Sequence, residues 1–295
     1  MEIIGIDAGT SGTKITGWRE TKFCGFLRVS PMETNEDLNA KINGFIKSNG
    51  YSSNNIKKIA VTGIKSKGFI PKIQGLSKEC ELILIDEFNA IALGGLHGVS
   101  DTLPNEKVAY IISMGTGTAF VRAVKTIGSG ESVDVSHIGG TGIGGGFLTG
   151  LSSAFCGESD ILKVSKLAES GDIGKVDLRI MDFCDNSADL GFLNPEITVS
   201  NFGKAGLPSS NSENAVTSAD YAVGILTAVY QIIGMLAVFA CRLDSAKNFV
   251  LIGALAELPQ AREIFAQFEK TYGLNFHIPS APEFAVAKGA ILSTF

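Results

Sequence analysis

Glu2–Lys14 reads EIIGIDAGTSGTK. Ile3, Ile4 and Ile6 make a short apolar run of β type, Asp7 stands where it ends, and Gly9, Thr10, Ser11 and Gly12 make a small-residue turn. A second β-like run, Lys14–Trp18, follows at once. The stretch is a hairpin whose turn can offer backbone N–H groups and hydroxyls to an anion such as phosphate. Asp7 beside it can hold a hydrated Mg2+. The competing interpretation is an ordinary glycine-turned hairpin with Asp as a turn residue.

Working outward, Lys22–Val29 continues as a third β-like run and completes a meander. Glu36–Ser48 carries Leu38, Ile42, Phe45 and Ile46 at helical spacing. Lys57–Gly63 is a strand ending in glycine, and Glu81–Ile85 is a strand that runs into Asp86, Glu87 and a helical segment, Phe88–Leu96. The order β-β-β-α-β-α-β is that of the ribonuclease-H-like lobe of the actin, sugar-kinase and heat-shock-chaperone ATPases. That analogy concerns fold and says little about substrate.

The pattern then recurs. Val108–Gly115 (VAYIISMG) is a buried-type strand, Thr116, Gly117 and Thr118 form a small-residue turn, and Ala119–Lys125 and Ser132–Gly139 complete a second meander. GIDAGTSGTKI and SMGTGTAFV are thus both strand, turn, strand. One such hairpin is weak evidence, but two facing each other can hold the two ends of a triphosphate. The expected fold is α/β, with two ribonuclease-H-like lobes of the duplicated actin/hexokinase type and an ATP cleft between them. The expected division is an N-terminal lobe over 1–90 and a C-terminal lobe with a helical insert over 91–283, with a last helix near 284–295 packing back on the first.

His137–Phe155, HIGGTGIGGGFLTGLSSAF, is the most glycine-dense stretch. Gly140, Gly142 and Gly145 formally match the dinucleotide fingerprint, yet the preceding strand closes a meander, and Glu158 and Asp160 fall in a loop instead of at the end of a following strand. The stretch is better read as a phosphate-and-substrate loop at a helix N-terminus, where free N–H groups and the helix dipole favour anions. No G-x-x-x-x-G-K-[ST] occurs, which excludes a P-loop ATPase.

Asp160–Ala168 reads as a helix opened by an Asp N-cap. Gly171–Asn214 has little periodicity, with a helix predicted around Leu178–Phe183 and a loop, VSNFGKAGLPSSN. A long helix is expected near Ala219–Arg242, a strand over Asn248–Leu255, a helix opened by Pro259 over Gln260–Tyr272, a strand over Leu274–Pro279 and a helix over Glu283–Thr294. Ala222–Cys241 is uncharged and long enough to span a bilayer. Gln231, Thr227 and two glycines within it favour a buried core helix instead.

With 295 residues, 45% hydrophobic, the chain can bury a large core. A net charge of −5 and the absence of any basic run argue against nucleic acid as the main partner. Cys24, Cys80, Cys156, Cys184 and Cys241 are scattered without a C-x-x-C pair, and no basic segment leads into an apolar one at the N-terminus. A reduced, cytoplasmic protein is expected. His97, His137 and His277 are too far apart for zinc spacing.

In this order, IGIDAGTSGTKI, ILIDEFNAIALG, ISMGTGTAFV, IGGTGIGGGFLTGLS, VSNFGK, IGALAELPQAREIF and PEFAVAKGA resemble the type II pantothenate kinases of the acetate-and-sugar-kinase/actin superfamily. The resemblance implies transfer of the ATP γ-phosphate to the primary hydroxyl of pantothenate, giving 4'-phosphopantothenate in the first step towards coenzyme A. It implies Mg2+ beside Asp7, held through water. Ala8, Gly9, Thr10, Ser11, Gly12, Thr13 and Lys14 would surround the β- and γ-phosphates. Gly115, Thr116, Gly117 and Thr118, with Gly144, Gly145, Gly146, Phe147 and Leu148, would complete the nucleotide cleft, and Ala254, within Gly253–Leu255, would lie near the adenosine. Glu87 would be the general base. His137, Gly139, Gly140, Thr141 and Gly142 would meet the acceptor. Members of the family are cytoplasmic homodimers, with the long apolar helix a candidate for the interface.

One departure concerns the acceptor. His137 stands where bacterial relatives commonly carry arginine before the glycine loop, and histidine lacks a fixed charge and bidentate geometry. Pantetheine, an amino sugar or another small hydroxyl compound is an alternative acceptor. A non-catalytic ATP-binding regulator and a BadF/BadG-type ATPase are alternatives of other kinds, the latter disfavoured by the scattered cysteines.

Overall fold

The computed structural model describes residues 1–31, 35–52, 55–73, 80–126, 132–183, 195–206, 215–243 and 246–295. β1 (Glu2–Gly9), β2 (Gly12–Arg19) and β3 (Lys22–Val29) form the antiparallel meander. Every residue of β1 except Gly9 is buried, because the strand lies at the centre of its sheet. β4 (Ile56–Thr62) and β5 (Glu81–Leu84) join in parallel, giving the order β3-β2-β1-β4-β5. β6 (Val108–Met114), β7 (Thr118–Thr126) and β8 (Ser132–Thr141) form the second meander. β11 (Asn248–Ile252) and β12 (Asn275–His277) extend it in parallel to β8-β7-β6-β11-β12. The two sheets have one topology, that of the actin/hexokinase-like fold.

On the first sheet α1 (Asn35–Ser48) buries Leu38, Ile42 and Phe45 against Ile4, Ile6 and Ile15. On the second, α6 (Ser218–Ala240) buries Ile225, Val229 and Ile233 against Tyr110, Ile112 and Leu251. Each such side chain contributes about 1.5–3 kcal/mol. By length and composition α6 could cross a membrane, but 67% of its most apolar stretch is buried in this chain, among α4 (Gly145–Cys156), α5 (Ile161–Ala168) and α7 (Pro259–Tyr272). Thr217 and Asp220 close its N-terminus as a capping box.

Between the sheets lie α3 (Glu87–Gly98) and α8 (Ala285–Leu292). Ala90, Ile91, Ala285 and Ala290 pack there with Ala60 of the first sheet and Ile111 and Val250 of the second. The helices touch backbone to backbone: a Cβ on Gly94 would lie 1.9 Å from the Ala285 carbonyl oxygen, and one on Gly289 would lie 1.8 Å from that of Ala90. α8 also packs on β1 and β4.

Three expectations need correction. The segment over Leu178–Phe183 is not a helix but a two-residue strand, β9 (Leu178–Arg179), and a 3-10 turn. β9 pairs with β10 (Thr198–Ser200), and the buried Asp177 ties the two sides by accepting from Phe202 N at 2.8 Å, Asn201 Nδ2 at 3.2 Å and Thr198 Oγ1 at 3.3 Å. The strand after Asn248 stops at Ile252, because Gly253 turns with φ +94° into a 3-10 turn. The strand after Leu274 is three residues long. α2 (Ser66–Ile73) is the helix that the order β-β-β-α-β-α-β requires between the fourth and fifth strands, for which no segment was named. Cys184 and the LPSSN end of the VSNFGKAGLPSSN loop lie outside the described residues.

Candidate active site

β1 brings Asp7 to the cleft because its neighbours Ile6 and Ala8 point into the core, 0% and 1% exposed. Asp7 sits opposite Lys14 on β2. It is 9% exposed, and burial pushes its pKa up to about 6, with Lys14 opposing and Glu87 and Glu283 adding to the rise. Asp7 is therefore an acid whose negative charge lacks full compensation from the protein.

Two adjoining cavities share Asp7, Thr10, Ser11, Lys14, Ser113, Gly115 and Thr116. One extends past Gly145, Gly146, Thr149 and Ile161 to Gly253, Ala254 and Leu255. The other extends past Gly9, Gly117 and Thr118 to Ile64, Glu87, Gly140 and Thr141. At their junction the two hairpin turns touch, with 2.5 Å between the hydroxyl oxygens of Thr10 and Thr116. The hairpins thus face each other across one cleft.

Asp86 and Glu87 take different positions. Asp86 is the N-cap of α3 and accepts from Asn89 N at 3.0 Å, so its carboxylate is engaged. Glu87, the first residue of the helix, faces the second cavity. Partial burial, then the adjacent Asp86 charge, raise its pKa.

The glycine-dense loop is built differently from expectation. Gly145 N donates to Gly115 O and Gly146 N to Thr116 O, both at 2.8 Å. Two N-terminal amides of α4 are therefore taken by the facing hairpin and are not free for an anion. A Cβ on Gly144 would come within 2.7 Å of Thr116 O. Close docking of loop on hairpin, instead of an open anion cradle, accounts for the glycine there.

Of the remaining residues named from the sequence, Ala8 and Leu148 lie in the two cores, and Phe147 packs against the second. Gly12 turns with φ +142° beside Val29 O, and Thr13 pairs with Val29. Gly139 and Gly142 flank the loop without lining either cavity. His137 stacks on Phe88, next to Glu87, with ring centroids 4.2 Å apart. Ser113, Arg28, Glu283 and Val286 line the cleft and were not anticipated. The signal for Ser113 is alignment of the hairpins on Gly9-Thr10 and Gly115-Thr116, which sets it opposite Asp7.

Two sheets of one topology with paired hairpin turns over a shared cleft define a protein of the actin/hexokinase-like fold. Among solved structures, the activator of the 2-hydroxyisocaproyl-CoA dehydratase from Clostridium difficile with bound ADPNP is similar at a TM-score of 0.61 and 17% identity, over 99% of this chain and 94% of that one. A ROK family glucokinase from Streptomyces griseus in complex with glucose and AMPPNP is similar at 0.56 and 12%, over 98% of each. These likenesses concern fold alone. The Fumble family profile matches residues 13–261. A type II pantothenate kinase of Bacillus cereus strain G9842 is 30% identical over 85% of this chain and 83% of its own, and one of Oceanobacillus iheyensis is 28% identical over 71% and 74%. The chain belongs to the Fumble family of type II pantothenate kinases, which are ATP-dependent kinases of small molecules.

Proposed function

We propose that this protein transfers the γ-phosphoryl group of ATP to the primary hydroxyl of pantothenate, forming 4'-phosphopantothenate and ADP in the first step of coenzyme A biosynthesis. The observation that carries the proposal is the single cleft shared by both hairpin turns, Asp7 and Glu87. ATP lies with its adenosine towards Gly253–Leu255 and its terminal phosphate at the Thr10–Thr116 junction, where the two cavities meet. The acceptor lies in the second cavity, beside Glu87, Gly140 and Thr141. Glu87 takes the hydroxyl proton as that oxygen bonds to the γ-phosphorus and the bond to the β,γ-bridging oxygen breaks. Lys14, Thr10, Ser11 and Thr116 orient the phosphates and offset their charge.

Asp7 fits Mg2+, which takes one or two carboxylates and completes its shell with water and phosphate oxygens. No cluster of three or more His, Cys, Asp or Glu residues that could cage a metal occurs among the described residues, so Asp7 would hold the ion together with the nucleotide. The ion would offset charge on the phosphates. The under-compensated Asp7 carboxylate supports this assignment.

The acceptor assignment rests on the relatives. His137, stacked on Phe88 next to Glu87, supplies no fixed charge, and for that reason pantetheine stands as the second reading. The protein is further proposed to be a cytoplasmic homodimer. Ile232 and Phe239, the exposed large apolar side chains of α6, are what that helix would contribute to such an interface.

The test is ADP release with Mg2+ and pantothenate, pantetheine, N-acetylglucosamine or no acceptor. Release with pantothenate is expected. Release with the sugar alone, or with none, overturns the proposal. Glu87→Gln should lower kcat by about 10²–10⁴-fold, whereas Asp86→Asn, which keeps a capping oxygen, should leave kcat near normal. The reverse result moves the base to Asp86.

A further inference from the structure

The cleft holds a carboxylate that this reaction does not use. Glu283 sits in the 3-10 turn just before α8. Its side chain is 8% exposed and lines the cavity that reaches Gly253–Leu255, yet its Oε1 accepts no hydrogen bond. Arg28 Nε comes within 3.3 Å, an ionic contact without hydrogen-bond geometry. A buried carboxylate oxygen left without a donor is costly, so one carried by a side chain that lines a cavity points to a ligand that donates.

Its position says which part of a ligand. Towards one end Asp7 feels the Glu283 charge. Towards the other, Gly253 N donates to Pro282 O at 2.9 Å, which fastens the turn carrying Glu283 to the adenosine end of the cavity. The chemistry between phosphates and base is ribose, whose adjacent hydroxyls are two donors matched to one carboxylate. Arg28, paired across the strands with Lys14, balances the Glu283 charge so that the carboxylate can face a nucleotide.

We propose that Glu283 binds the ribose of the nucleotide by accepting hydrogen bonds from its 2'- and 3'-hydroxyls, with Arg28 as its counter-charge. The proposal rests on the nucleotide assignment above and makes the cleft selective for ribonucleotides. It is tested by equilibrium binding of ATP, 2'-deoxy-ATP and 3'-deoxy-ATP to the full chain with Mg2+ and no acceptor. Wild type should bind each deoxynucleotide about 10-fold more weakly than ATP. Glu283→Ala should bind all three within about 2-fold of one another, and Glu283→Gln, which keeps the shape with one acceptor oxygen, should fall between. Equal binding of the three nucleotides by wild type overturns the proposal without needing any variant to fold. Full ribose preference in either variant also overturns it. In both cases the kinase assignment stands if ADP release is normal. No binding of any nucleotide overturns the assignment and the proposal together.

Discussion

The hairpins β1–β2 and β6–β7 occupy matching places in sheets of one topology, and their turns meet at Thr10 and Thr116. They differ one step earlier. The first presents Asp7 to the cleft, buried and paired with Lys14, where the second presents Ser113. The second instead has its turn carbonyls, Gly115 O and Thr116 O, engaged by α4. One hairpin therefore carries charge and the other is braced as a wall. A duplicated scaffold gives two turns that line one cleft, and a single side chain, Asp7 against Ser113, sets their difference in charge.

The largest expected effect tests what joins the two halves. Gly289→Val forces a side chain into the Ala90 backbone and should cost more than about 4 kcal/mol. Chemical denaturation showing a loss below about 1 kcal/mol would mean that the two helices separate easily. Next comes the asymmetry itself. Asp7→Asn should lower kcat/KM by about 10²–10³-fold, and Ser113→Ala only a few-fold. Equal losses in steady-state assays would make the hairpins functionally equivalent.

The buried acid should also have a cost of its own. Because burial raises its folded pKa to about 6 from the ordinary 3.8 of an aspartate side chain, the native state binds a proton more tightly than the unfolded chain. Nucleotide-free stability should thus fall as pH rises between these values and stay low above them. Asp7→Asn should recover up to about 3 kcal/mol at pH 8 and flatten that slope, as read by melting temperature against pH. An unchanged slope would mean that Asp7 is better compensated than its burial implies. The smallest effect is at the junction. Thr10→Val and Thr116→Val should couple by about 1 kcal/mol in a double-mutant cycle of stability, and additive losses would show that the contact contributes nothing.

Much of the fold was legible because β-meanders announce themselves locally, through apolar runs broken by Gly-Thr and Gly-Thr-Gly turns. α2 was not, since Gly68 and Pro71 interrupt any helical signal. Neither was the turn around Asp177, whose bonds to Phe202 and Asn201 replace hydrophobic periodicity. In the cleft, sequence indicated which loops meet but not how. Whether Asp86 or Glu87 faces the second cavity depends on which one caps α3, and whether the α4 amides are free depends on carbonyls some thirty residues away. Glu283 was invisible for the same reason, since only folding brings it to the cavity that Asp7 lines.

The return of α8 to the first sheet reaches beyond packing. A Cβ on Gly5, in the middle of β1, would lie 2.2 Å from Ala287 O, and Lys58 Nζ donates to Thr294 O at 2.9 Å. During synthesis the first sheet therefore waits, with one face of its central strand uncovered, until more than two hundred and eighty residues have left the ribosome. The buried state of β1 is therefore completed by residues almost three hundred positions along the chain, and not by its own half alone.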